Sequence, residues 1–300
     1  VDAPDIEVRG LTKTFGSVAA VNDLTFTARA GRVTGFLGPN GAGKSTTLRA
    51  LVGLISPTAG EALIGGKPYD GIAHAPQRVG AQFEAAFHPG RSARGHLLTY
   101  APLAGVTAQR CDEVLAMVGL TEAAGRRVGG YSMGMRQRLG LATALLGDPQ
   151  VLILDESANG LDPAGVHWLR GFLRNFAAEG GTVLLSSHLL SEVELTVDDV
   201  VIVAKGELRH SSSMEDLRNL TSSRVEVRSP RQEALESFIA SRYLDSATLT
   251  SPTTARIDGA SAQEVGAAAF ADGLELHGLE QQTDSLETVF MRLTTEGASA

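Results

Sequence analysis

The chain of 300 residues has a single cysteine, four lysines beside 22 arginines, and a deficit of positive charge, 26 basic against 34 acidic residues. One cysteine excludes an intrachain disulfide framework and a cysteine-based zinc cluster, so Cys111 reads as a small core hydrophobe. The net charge of −8 argues against a nucleic-acid binder that relies on overall basic charge, and no nucleic-acid partner is expected. No run approaches the roughly 18 consecutive apolar residues of a membrane-spanning helix. The acidic opening VDAPDIEVRG lacks the apolar stretch of a secretory signal. The expectation is a cytoplasmic protein that reaches a membrane only through something else. No solenoid repeat, heptad run or low-complexity tract is present. What remains, 43% hydrophobic and 20% charged, is enough for a sizeable core.

Up to about residue 220, short apolar runs alternate with longer helical stretches. Val33–Leu37, Val151–Leu154 and Thr182–Leu185 are bounded by polar residues or glycine and read as strands buried on both faces, as in a parallel sheet covered by helices. Around Ser211–Ser213 and Thr221–Ser223 the composition turns small and polar, marking a boundary. Beyond it the pattern reads as a strand at Arg224–Arg228, a helix at Glu233–Ala240, a hairpin from Thr248–Thr250 and Thr254–Ile257, a helix at Ala262–Ala271, a strand near Leu274–Leu279 and a last helix at Ser285–Leu293. This βαββαβ order suggests a small split-βαβ domain. Residues 221–300 hold six Arg, no Lys and 12 acidic residues, so they carry −6 of the charge and leave −2 to residues 1–220. That composition suits a solvated docking or regulatory module, or equally a stabilising appendage without a ligand.

Chemistry concentrates in two segments. Gly38-Pro39-Asn40-Gly41-Ala42-Gly43-Lys44-Ser45 fits the phosphate-binding pattern GxxxxGK[ST] in full, after a strand ending at Leu37 and before a helical run from Thr46 to Val52. Glycines let successive backbone N–H groups turn inward around phosphate oxygens, and the helix N-terminus adds the positive end of its dipole. Lys44 is expected to reach the β- and γ-phosphates, and the Ser45 hydroxyl to coordinate magnesium. The second segment, Val151–Glu156, is an apolar strand ending in two acids, placed where parallel sheets bind ligands. Successive strand residues point to opposite sides, so the two acids have different tasks. Asp155 suits the magnesium shell, and Glu156 suits orienting or deprotonating an attacking water.

Between these segments, Tyr131-Ser132-Met133-Gly134-Met135 opens a helix running to Leu146, which Ser132 can cap. With this third motif the sequence resembles the ATP-binding cassette (ABC) ATPases over about residues 5–220. The stretch looks like the family's LSGGQ signature, with Ser132 and Gly134 kept and Tyr131, Met133 and Met135 as departures. Ser157–Pro163 resembles the D-loop, with Asp162 as its aspartate and Ser157 where proline is usual. His188, after the strand at Thr182–Leu185, falls where the family places its switch histidine. Phe15 aligns with the aromatic residue that stacks on adenine, and Thr46 follows the phosphate loop. In the glutamine loop, counting from Val79-Gly80 puts Glu84 at the glutamine position, with Gln82 as the alternative. His88 and His96 read as surface residues rather than metal ligands.

The resemblance implies an α/β P-loop nucleotide-binding core over residues 1–220 with an inserted helical subdomain over about 80–148; the pattern beyond the boundary adds a small α+β C-terminal accessory domain over 221–300. It implies ATP and Mg²⁺ as cofactors and a head-to-tail dimer of two copies, in which Ser132 and Gly134 of one contact the γ-phosphate held by the other. Phe87–Leu97, the signature and Leu286–Leu293 resemble bacterial ATPases of the drug- and antibiotic-export type, which work with separate multi-spanning permease subunits at the cytoplasmic face of the membrane. The expected function is ATP hydrolysis coupled to export. Two alternatives are a soluble cassette ATPase acting on macromolecules, for which the usual coiled coil, zinc module or second cassette is missing, and a regulatory subunit with little hydrolysis.

Overall fold

A computed structural model describes residues 3–84, 87–221 and 223–295. Ser222, within the small-polar boundary, lies outside the described residues. The chain divides into two compact units, Glu215–Met291 and the remainder.

In the larger unit, β1 (Ile6–Phe15) and β2 (Val18–Ala28) form an antiparallel pair, followed by β3 (Val33–Leu37) and α1 (Lys44–Leu51). Next come β4 (Ala59–Ile64), α2 (Ala75–Arg78) and β5 (Val79–Gln82), then the helices α3 (Ala93–Ala104), α4 (Ala108–Met117) and α5 (Met133–Ala144). The chain continues through β6 (Val151–Asp155), α6 (Pro163–Ala178), β7 (Thr182–Ser187), α7 (Leu190–Val193), β8 (Asp199–Ala204) and β9 (Glu207–Ser213); α8 (Met214–Asn219) starts at the boundary and belongs, but for Met214, to the smaller unit. Two sheets result. One is three-stranded and antiparallel, in the order β2-β1-β4; the other has six strands in the order β5-β6-β7-β3-β8-β9, parallel except at β9.

Burial follows the apolar pattern. Every residue of β3 is buried, as are the first four of β6, whereas β2 alternates along its second half. Ile6, Val8, Leu24, Phe26, Phe36, Leu48, Leu51, Ile153 and Val201 belong to one core, in which Phe26 and Phe36 stack with ring centroids 5.0 Å apart. β5 pairs with β6 in the large sheet, and the inserted helices α3 to α5 follow it. Cys111 is fully buried on α4.

His96 is not on the surface. It is 6% exposed on the inner side of α3, edge-on to Phe87 and beside Tyr100, with centroids 4.8 and 4.9 Å away. These aromatic neighbours enclose a residue whose polarity alone suggests solvent. His88 is exposed.

The smaller unit contains β10 (Ser223–Arg228), α9 (Gln232–Arg242), β11 (Ala247–Ser251), β12 (Thr254–Asp258), α10 (Ala262–Ala271), β13 (Gly278–Thr283) and the first part of α11 (Leu286–Thr295). Its antiparallel sheet has the order β11-β12-β10-β13, and Val225, Val227, Ala255 and Ile257 pack with Leu235, Phe238 and Val265. Its last strand lies later than the apolar pattern suggests, at 278–283 instead of near 274–279. Leu274 is drawn into the core just after α10, and pairing with β10 begins where Gly278 meets Arg228.

Candidate functional site

The strand order sets the site. β6, β7 and β3 are neighbours, so their carboxyl ends deliver Asp155-Glu156, Ser187-His188 and the Gly38–Gly43 loop side by side. This is the edge at which open parallel sheets bind ligands. The loop needs glycine at two points for different reasons. A Cβ on Gly38 would lie 2.3 Å from the Val203 carbonyl oxygen. Gly43 has φ +97°, and a Cβ there would come within 2.5 Å of the Ala20 oxygen. Gly43 sits just ahead of α1, so the loop meets a helix N-terminus whose first backbone N–H groups have no intrahelical partners.

A cavity of about 500 Å³ lies over this loop, lined by Asn40 to Thr46 and by Phe15, Ala20, Glu156, Asn159 and His188. Lys44 is 5% exposed, and its Nζ donates to the carbonyl oxygens of Gly38 at 2.6 Å and Pro39 at 3.2 Å. Glu156 Oε1 is 3.6 Å from that ammonium. Burial holds the Lys44 pKa below its ordinary value, and the Coulomb attraction of Glu156 opposes the shift. An incoming polyphosphate would add negative charge beside this buried cation.

Glu156 is bound from several sides. Its Oε2 is 2.8 Å from His188 Nδ1 and accepts from Asn159 Nδ2 at 3.1 Å, and its backbone N–H donates to Ser186 Oγ at 3.0 Å. Its φ of +52° is left-handed, a conformation that disfavours side chains other than glycine and recurs at functional sites. Ser186 Oγ also donates to Asp155 Oδ1 at 2.5 Å, across the β6–β7 pair in which the two residues stand opposite. Phe15 is 50% exposed at the cavity's edge, with Lys13 Nζ 5.1 Å from its ring centroid.

The other candidates stand apart from the cavity lining. Gly38 and Pro39 take part through the carbonyls that hold Lys44. Ser132 caps α5, accepting from Met135 N at 3.2 Å, and Gly134 packs close to the Gly160 carbonyl. Asp162 caps α6, accepting from Gly165 N at 2.8 Å. Glu84 is exposed, while Gln82 is 3% exposed and points into α5, where its Nε2 donates to the Gln137 side chain at 2.6 Å and backbone carbonyl at 3.2 Å. Neither lines the cavity. Sequence reasoning missed Ser186 and Asn159. The small polar end of the Thr182–Ser187 strand was a signal for the first; an amide three residues after Glu156 in a turn was one for the second.

The ABC transporter family profile matches residues 21–159, and a domain of unknown function matches residues 223–287. The ABC transporter ATP-binding protein YdbJ of Bacillus subtilis is 34% identical over 296 residues, 97% of this chain and 96% of its own. The Nod factor export ATP-binding protein I of Burkholderia lata is 41% identical over 208 residues, 67% of this chain and 68% of its own. A solved ATP-binding subunit of an ABC transporter superposes with a TM-score of 0.65 at 28% identity, over 71% of this chain and 92% of that one. A phosphate loop, an acid-tipped strand in the same sheet and kinship along nearly the whole length converge on one conclusion: the chain belongs to the ABC transporter family, as an ATP-binding, ATP-hydrolysing subunit.

Proposed function

We propose that hydrolysis is carried by the group Lys44, Glu156 and His188 around the phosphate loop. The observation that carries this reading is the convergence of Lys44 and His188 on the two carboxylate oxygens of one residue in the cavity wall, Glu156, whose backbone is left-handed. Gly38 to Thr46 cradle the phosphates, Lys44 neutralises them, Phe15 stacks on adenine, Glu156 directs water in line with the γ-phosphorus, and His188 contacts the γ-phosphate. Magnesium fits the donor set, since the Ser45 hydroxyl and the Asp155 carboxylate are hard oxygen ligands of the kind it takes alongside substrate phosphates. Bound there, it would neutralise charge on the β- and γ-phosphates. Glu84, with Gln82 as the alternative, is the further candidate to touch that magnesium, although neither lines the cavity.

Ser132, Gly134 and Asp162 serve the second nucleotide contact, made across a head-to-tail dimer of two copies. Their position outside this chain's own cavity supports that assignment. We take residues 1–220 as the ATP-binding domain, with its helical subdomain over about 80–148, and 221–300 as an accessory domain. The pair works with multi-spanning permease subunits at the cytoplasmic face of the membrane. Export is supported by the relationship to the Nod factor export protein.

Phosphate release tests the chemistry. Glu156→Gln is expected to bind ATP with near-normal affinity and hydrolyse it at least about tenfold more slowly. Turnover close to wild type would remove Glu156 from the reaction.

A further inference from the structure

Asn159 contacts the same carboxylate. It lines the cavity, and it makes two bonds to Glu156: its backbone N–H donates to the Glu156 carbonyl at 3.1 Å and its Nδ2 to Oε2 at 3.1 Å. The turn that presents it is fixed on its far side. Leu161 N donates to the Ala158 carbonyl at 3.2 Å. Gly160, at φ +77°, lies under the Met133 side chain so closely that a Cβ there would be 2.2 Å from the sulfur. Asn159 is thus held between Glu156 and the start of α5.

A carboxylate accepts at about four lone-pair positions, and the reaction needs one of them aimed at water. Oε2 is occupied by Asn159 and His188, which leaves Oε1, on the side of Lys44, turned towards the phosphate loop. We propose that Asn159 is a positioning residue for hydrolysis: its amide holds Oε2 so that Oε1 is the oxygen presented to the attacking water. Oε1 takes a proton from that water while the water oxygen bonds to the γ-phosphorus. The bond from the γ-phosphorus to the β,γ-bridging oxygen breaks, and its electron pair leaves with ADP. This assignment rests on the reading of Glu156 given above.

The test is steady-state ATPase kinetics on the full chain, with nucleotide binding measured in parallel. Asn159→Ala is expected to lower kcat about tenfold with KM for ATP within twofold. Asn159→Asp has the same shape but replaces the donor by a like charge, so it should lose at least as much. In a Glu156→Gln background, Asn159→Ala should cost less than a further twofold, because the carboxylate it positions is already gone. Asn159→Ala within twofold of wild-type kcat, an active Asn159→Asp, or a full additional tenfold loss in the Glu156→Gln background would each overturn the proposal. If Glu156→Gln alone turns over normally, the underlying reading of Glu156 fails; if it is slow while Asn159→Ala is normal, only the role of Asn159 fails.

Discussion

Lys44 has two carbonyl oxygens and a more distant carboxylate for company in a nearly closed setting. Its ammonium is poorly solvated, and the phosphates of ATP are the partner that would satisfy it. Lys44→Ala is therefore expected to weaken ATP affinity by more than about tenfold, read by titration with a fluorescent nucleotide. Unchanged affinity would remove the lysine from the binding site. At this scale the phosphate loop and the pair Asp155-Glu156 were legible, because fixed spacing next to a strand end is a local property of the sequence. Ser186 was not, since its bond to Asp155 depends on the register of β6 against β7, two strands 31 residues apart at that point. The Asn159 contact was hidden for a related reason: it exists because Glu156 leaves the extended conformation of its strand and turns back at positive φ. The glutamine loop stayed divided between Glu84 and Gln82, and the structure sends Gln82 into α5.

Among the elements, apolar runs buried on both faces gave β3 with its full span, and β6 and β7 to within two residues. β13 came out displaced because Glu280, Gln281 and Gln282 pair with β10 without an apolar pattern to announce them. Within α3, His96 has consequences that its assignment to the surface concealed. Its Nε2 is buried without a hydrogen-bond partner among the described residues, and burial, assisted by the charge of Arg91, holds the imidazole pKa below its ordinary value. The unfolded chain then binds the proton more readily than the folded one. The stability that neutral His96 provides is complete above about pH 6.5 and is lost as pH falls towards its lowered native value. His96→Phe should cost under about 1.5 kcal/mol at pH 7.5, since no hydrogen bond at Nε2 is given up. It should also lose less stability than wild type on going to pH 5. Urea unfolding of both proteins at the two pH values measures the difference, and equal acid losses would place the sensitivity elsewhere.

Across the whole molecule, the charge is uneven. Residues 221–300 carry −6 of the net −8, and Glu215–Met291 form a compact unit with a core of its own. The split-βαβ order was legible from the succession of short alternating and helical stretches, and in the structure a Ser261 and Glu264 capping box starts α10. Its task was not, because no phosphate-loop pattern marks its sequence. None of the helices among the described residues is long and apolar enough to cross a membrane. The proposed coupling of ATP hydrolysis to transport calls on a permease partner, and the proposal depends on that partner more than on any one side chain. The most direct measurement is to purify the tagged chain with ATP from detergent-solubilised native membranes and identify the co-purifying chains by mass spectrometry. Recovery of a multi-spanning membrane protein is the result the account predicts; recovery of soluble proteins or nucleic acid alone would contradict it.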